Sequence, residues 1–165
     1  MDRSTYRPFP SLRFSTFLMA IACLAMAAGT GNAQRKPGGN TGADDTPVFT
    51  EYRGVQLGMT AADVRKKLGN PKSKSAEEDF FVFNEAEMAQ FIYDKTEKVI
   101  AISADFMTPN GGAPSPKDVL GMEIEAKSDG SVHKIVRFPK AGYWLSYSRT
   151  GGTEPVITIQ LQKIQ

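Results

Sequence analysis

The sequence predicts an α+β domain: two degenerate helix-plus-antiparallel-strand repeats forming one mostly antiparallel sheet, with the helices packed on one face. Three observations carry this expectation. A helix start built on Thr60 and Asp63 recurs as Ser115 and Asp118, 55 residues later. After each start come apolar runs of strand length, separated by short segments rich in turn formers. Within several runs, apolar and polar residues alternate with the period of a half-buried strand.

The first helix is written between Gln56 and Pro71 with both ends marked. Thr60 is a cap whose hydroxyl can accept from the N–H three residues on. Asp63 stands where it can reach back to the Thr60 N–H and where the helix dipole favours negative charge. Met59 and Val64 have the spacing of a hydrophobic staple, and Leu68 continues the apolar face. Arg65, Lys66 and Lys67 are left to solvent or to the helix end. Gly69 can close the helix in a left-handed conformation, and Pro71 prevents its resumption. Val48, Phe49, Tyr52, Val55 and Leu57, just upstream, are expected to pack beneath this helix.

Three apolar runs follow, over residues 80–83, 88–93 and 99–106, with short breaks that suggest an antiparallel meander. The second helix start has Ser115 as cap, Pro116 at the first helical position and Asp118 at the box position, then Val119, Leu120 and Gly121. Met122, Ile124 and Ala126 alternate with Glu123, Glu125 and Lys127, which reads as a strand with an outward polar face. Runs over 132–138, 143–149 and 155–161 complete the set. The domain is placed at 48–165, with repeats at 55–106 and 113–164.

Arg3, Arg7 and Arg13 precede an apolar run over 14–28 and small residues ending in Gly31-Asn32-Ala33. This is the pattern of a secretory signal peptide, residues 1–33, cleaved after Ala33, with Ala25-Met26-Ala27 as an earlier alternative. The run is too short, and too soon followed by Gly and polar residues, for a membrane span of about 20 residues. Cys23, the only cysteine, follows Ala20-Ile21-Ala22, a poor lipobox. It is either a lipidated first residue or a small apolar residue discarded with the signal. In the second case the mature chain has no thiol for a disulfide, a thiolate metal site or a nucleophile. Removing residues 1–33 takes away three arginines and one aspartate, so the formal charge of +2 becomes zero. No basic excess then argues for nucleic acid or anionic lipid. Residues 34–47 contain no large apolar side chain and read as a flexible tether, with Asp44 and Asp45 solvated.

The stretch Gly58-Met59-Thr60-x-x-Asp63-Val64-x-x-x-Leu68-Gly69-x-Pro71 resembles the signature of the SmpA/OmlA (BamE-like) outer-membrane assembly lipoproteins. It is also similar to the repeat of the β-lactamase inhibitory protein, whose tandem halves share that architecture. The pair Phe91-Ile92-Tyr93 is similar to the family's downstream aromatic-x-Tyr pair. The match covers residues 55–106 well and the second half loosely. Two departures stand out: the lipobox is poor, and the mature chain lacks the inhibitors' disulfides. The resemblance implies an exported, non-enzymatic protein that binds proteins or envelope macromolecules through a sheet face or its loops.

Few residues suggest chemistry. His133 is the only histidine, and a hydrolase built on it would need a nucleophile and an orienting carboxylate supplied by the fold. A common zinc site would need a second histidine. Glu77, Glu78 and Asp79 form the densest acidic cluster, read as solvated neighbours pointing different ways. Gly111-Gly112 and Gly151-Gly152 lack the context of phosphate loops and read as turns. Aromatic residues give the strongest binding signal: Tyr143, Trp144 and Tyr147 on one strand, and Phe91 and Tyr93 at the corresponding place in the first copy. Because Ser146 and Ser148 share the face of Trp144, that face is expected to be the exposed one. The sequence thus points to an exported, non-catalytic protein-binding module without cofactor or metal, periplasmic or secreted. The alternatives are an envelope-assembly lipoprotein tethered through Cys23, and a hydrolase using His133.

Overall fold

Alternating apolar residues after Pro71 build strands, and the short polar breaks between them keep consecutive strands adjacent. A computed structural model describes residues 46–107 and 112–164. The signal-peptide, Cys23 and most of the tether readings fall outside the described residues. In chain order the elements are α1 (Ala61–Leu68), β1 (Ser73–Lys74), β2 (Glu78–Asn84), β3 (Glu87–Tyr93), β4 (Val99–Met107), α2 (Pro116–Leu120), β5 (Val132–Phe138), β6 (Tyr143–Arg149) and β7 (Val156–Lys163). All seven strands form one antiparallel sheet in the order β1-β2-β3-β4-β7-β6-β5. Two meanders therefore meet edge to edge along β4 and β7, with Ser103 opposite Gln160 near the middle of the seam.

The α+β expectation is corrected: among the described residues strand outweighs helix 44% to 11%, and the fold is mainly β. The physical reason is length. Eight and five residues of helix span about 12 and 7.5 Å, whereas seven strands extend roughly 29 Å across the sheet. Two such helices cannot form a layer over it. The helices contribute Ala61, Val64, Val119 and Leu120 to the core, and non-helical segments cover the rest. Tyr52 and Val55 are buried in that cover and Phe49, Leu57 and Met59 pack against the core, while Val48 is exposed.

Residues 122–127 are not a strand either. Met122 and Ile124 pack against the core from one side of an irregular segment. Their alternation therefore records one-sided burial, and no ladder partner accompanies it. A short β1 forms instead in the polar stretch after Pro71.

The α2 cap is the reciprocal box: Asp118 N–H donates to Ser115 Oγ at 3.2 Å, and Ser115 N–H donates to Asp118 Oδ2 at 3.0 Å. In α1 only half of that pattern forms. Asp63 N–H donates to Thr60 Oγ1 at 3.2 Å, but the Asp63 carboxylate accepts from the Thr60 hydroxyl at 2.7 Å and not from its N–H. Backbone bonds stitch the helix entry to β4 and the turn before it. Gly58 N–H donates to the Val99 carbonyl at 2.8 Å, Val99 N–H to Met59 at 2.9 Å, and Ala61 N–H to Glu97 at 2.9 Å. Gly69 has φ 88°, a conformation that ends α1 where an L side chain would be strained.

Candidate functional site

Strand register sorts every side chain to one of two faces. Phe81, Phe91, Ile102, Leu161, Leu145 and Val136 lie on the covered face, all of them buried. The opposite face carries the residues between them, and no element of the described chain lies over it.

Four of the five aromatic residues expected to bind a partner sit on the covered side. Phe91 is 0% exposed, Tyr93 4%, Tyr147 3% and Tyr143 9%. They are core residues and offer little surface to a partner while the cover is in place. Trp144 is on the open face and half-buried, opposite Gln162 of β7 and Arg137 of β5. Alternation had separated Trp144 from its neighbours correctly, and the serines beside it marked the open side. Ser146 is nonetheless buried at the middle of that face, its hydroxyl 3.3 Å from Gln160 Oε1.

The open face is banded. One level across the sheet reads Glu78, Ile92, Ala101, Gln162, Trp144 and Arg137. The middle level reads Phe80, Gln90, Ser103, Gln160, Ser146 and Ile135. The third reads Val82, Met88, Asp105, Thr158, Ser148 and His133. Apolar side chains thus gather toward both flanks, around a polar centre that includes the Asp105 carboxylate. Val82, Met107 and Ile135 are 48%, 44% and 49% exposed, so large hydrophobic groups stand in solvent there.

The third level sets His133 beside Ser148, a histidine next to a hydroxyl. The nearest carboxylate on that level is Asp105, three strand spacings away, or about 14 Å. Asp105 accepts from the Thr158 hydroxyl at 2.6 Å, and the Ser148 hydroxyl lies 3.5 Å from the Thr158 carbonyl. The register therefore does not bring a base, a nucleophile and an orienting acid together. Among the described residues, no cluster of three or more His, Cys, Asp or Glu is placed to hold a metal ion. None of the described helices is long and apolar enough to cross a membrane.

Sequence reasoning missed two polar clasps on the covered side. Asp79, expected to be solvated with Glu77 and Glu78, is 0% exposed. Its carboxylate accepts from Arg65 Nε at 2.8 Å, Arg65 Nη2 at 3.0 Å and the Tyr93 hydroxyl at 2.8 Å. The signal was available: Asp79 shares its strand face with Phe81 and Phe83, an inward parity that demands a partner. The second clasp joins Glu87 to Arg53 Nε at 2.9 Å, Arg53 Nη2 at 2.6 Å and the Tyr52 hydroxyl at 2.7 Å. Arg53 also lies 4.0 Å over the Phe83 ring. Burial, then the neighbouring carboxylate, pushes the Tyr52 and Tyr93 phenols above their ordinary range. Hydrogen bonding to Arg53 holds the Glu87 carboxyl below its own, against the effect of burial. These groups are locked in mutual hydrogen bonds, which suits fixing a loop and a helix to the sheet.

Comparison with known proteins gives no match: no protein family, no curated protein and no solved structure matches this chain. The likeness to the BamE-like and inhibitor repeats rests on the motif between Gly58 and Pro71 and on Phe91-Ile92-Tyr93.

Proposed function

We propose that this protein is an exported, non-catalytic binding module that engages a protein or envelope component through the open face of its sheet. The observation that carries the reading is the asymmetry of the sheet. One face is sealed by a continuous core, while the other holds Trp144 and exposed Val82, Met107 and Ile135 around a polar centre. A half-buried tryptophan flanked by Arg137 is the kind of anchor that dominates binding energy at interfaces.

The test is affinity capture from the native exporting host, comparing the unaltered chain with Trp144→Ala and Ile135→Asp. Trp144→Ala is expected to weaken capture of the native partner about thirtyfold, with the thermal midpoint nearly unchanged. Equal capture by folded variants would remove the open face from the interface. Ala20-Ile21-Ala22-Cys23 favours a second reading, a lipid-tethered envelope component. Intact mass of the exported protein decides between them: a free chain from Gln34 supports the soluble module, and an acylated Cys23 the tethered one.

A further inference from the structure

The two edges of the sheet are finished differently. At one, the segment around β1 lies along β2, with Lys72 N–H donating to the Phe80 carbonyl and Ser75 N–H to that of Glu78, both at 2.7 Å. At the other, β5 runs for seven residues with no strand beyond it. The ladder shows which of its groups are free. The Gly142 carbonyl accepts from Ile164 N–H and Thr150 N–H donates to Val156, so even-numbered residues of β6 turn toward β7 and odd-numbered ones toward β5. Their partners in β5 are Val132, Lys134, Val136 and Phe138. The N–H and C=O groups of His133, Ile135 and Arg137 therefore point away from the sheet, unpaired among the described residues.

Charge adds direction. β5 carries His133, Lys134 and Arg137 and no acidic residue. The ion pairs among the described residues are Arg53–Glu87 and Arg65–Asp79, so neither Lys134 nor Arg137 has a carboxylate. A second copy pairing β5 with β5 would gather both lysines and both arginines at one seam with no acid between them, which the edge resists. An acidic strand would meet no such resistance.

We propose that β5 accepts an extended, acidic segment of a partner protein as an eighth, antiparallel strand. Backbone bonds to His133, Ile135 and Arg137 supply the pairing, and side chains set the sequence. Read from opposite Phe138 to opposite Val132, the fitting order is apolar, acidic, apolar, apolar, acidic, acidic, apolar. This rests on the edge alone and stands whether or not the open face is the principal interface.

The probe is a blocked peptide of sequence IEVVEEV, added to the exported chain and followed by amide hydrogen exchange and by Trp144 fluorescence. Without peptide, the amides of His133, Ile135 and Arg137 are expected to exchange freely while those of Lys134 and Val136 are protected. Peptide is expected to protect the first set. N-methylation at its second, fourth and sixth residues, whose N–H groups face β5, is expected to abolish binding. The same change at its third and fifth residues should alter affinity by no more than about threefold, since those groups face solvent. Lys134→Glu with Arg137→Glu should weaken the peptide about tenfold and favour its lysine counterpart. Ile135→Pro, which removes only an outward N–H, should fold and lose binding. Three results would overturn the proposal: edge amides protected in the free monomer, their protection by self-association in sedimentation, or binding indifferent to the pattern of N-methylation.

Discussion

The two meanders handle their arginines differently. In the first, both arginines that face the sheet meet carboxylates, and each carboxylate also receives a tyrosine hydroxyl. In the second, Arg149 at the end of β6 donates to the Gly130 carbonyl at 3.0 and 2.6 Å, while Lys134 and Arg137 make no ion pair. Paired charge ties the chain to itself: Arg65 holds α1 and Arg53 holds the loop before it. Lys134 and Arg137, on the edge strand, make no such tie. The difference separates arginines that fix the chain to its sheet from basic side chains that stand at a bare edge.

Asp79→Ala should be the most damaging test of that contrast. It leaves the half-buried Arg65 guanidinium and the buried Tyr93 hydroxyl without their acceptor, at a cost of about 2–3 kcal/mol, read from urea unfolding. A loss under about 1 kcal/mol would mean that the clasp contributes little and that the halves are alike. Arg149→Ala, its counterpart in the second meander, removes a charged donor from a neutral carbonyl and should cost about 1–2 kcal/mol.

Glu87→Gln sharpens the comparison through pH. The folded-state carboxyl is lowered from 4.5, chiefly by Arg53. Its contribution, about 1 kcal/mol, is therefore present above that value and is lost as pH falls below it. The stability gap between the unaltered chain and Glu87→Gln should close on acidification, and a gap that persists in acid would assign the effect to packing. Smallest is Ser115→Ala, which removes the α2 cap and should lower stability by roughly 0.5–1 kcal/mol.

Local grammar was the most legible part of the sequence. Thr60 and Ser115 cap the helices, Gly69 and Gly121 follow them, and the six longer strands lie where apolar runs were read. Capping and alternation act over a few residues, so the chain states them directly. The failures arose where a distant partner decides. Residues 122–127 alternate like a strand but find no ladder, and the helices proved too short to form a layer. Asp79 looked solvated because Arg65 and Tyr93, 14 residues away on either side, are not visible as its partners locally. Of the aromatic set, alternation put Trp144 on a different face from Tyr143 and Tyr147. Phe91 and Tyr93 gave no comparable sign that their face would be sealed.

The seam between β4 and β7 also has a consequence in time. Ala101 pairs with Gln162 and Met107 with Val156, so joining the meanders closes loops of roughly fifty to sixty residues. Hairpins within each meander close over far shorter distances and form first. The pairing of β4 with β7, near the middle of the finished sheet, is thus among the last to form. Until β7 arrives, β4 presents Ile102, Ala104 and Phe106 along an unpaired border, the arrangement most open to mispairing with other chains. The risk of aggregation is concentrated in that interval. Substitutions that slow the seating of β7 should lower the yield of folded protein even where they leave its final stability intact.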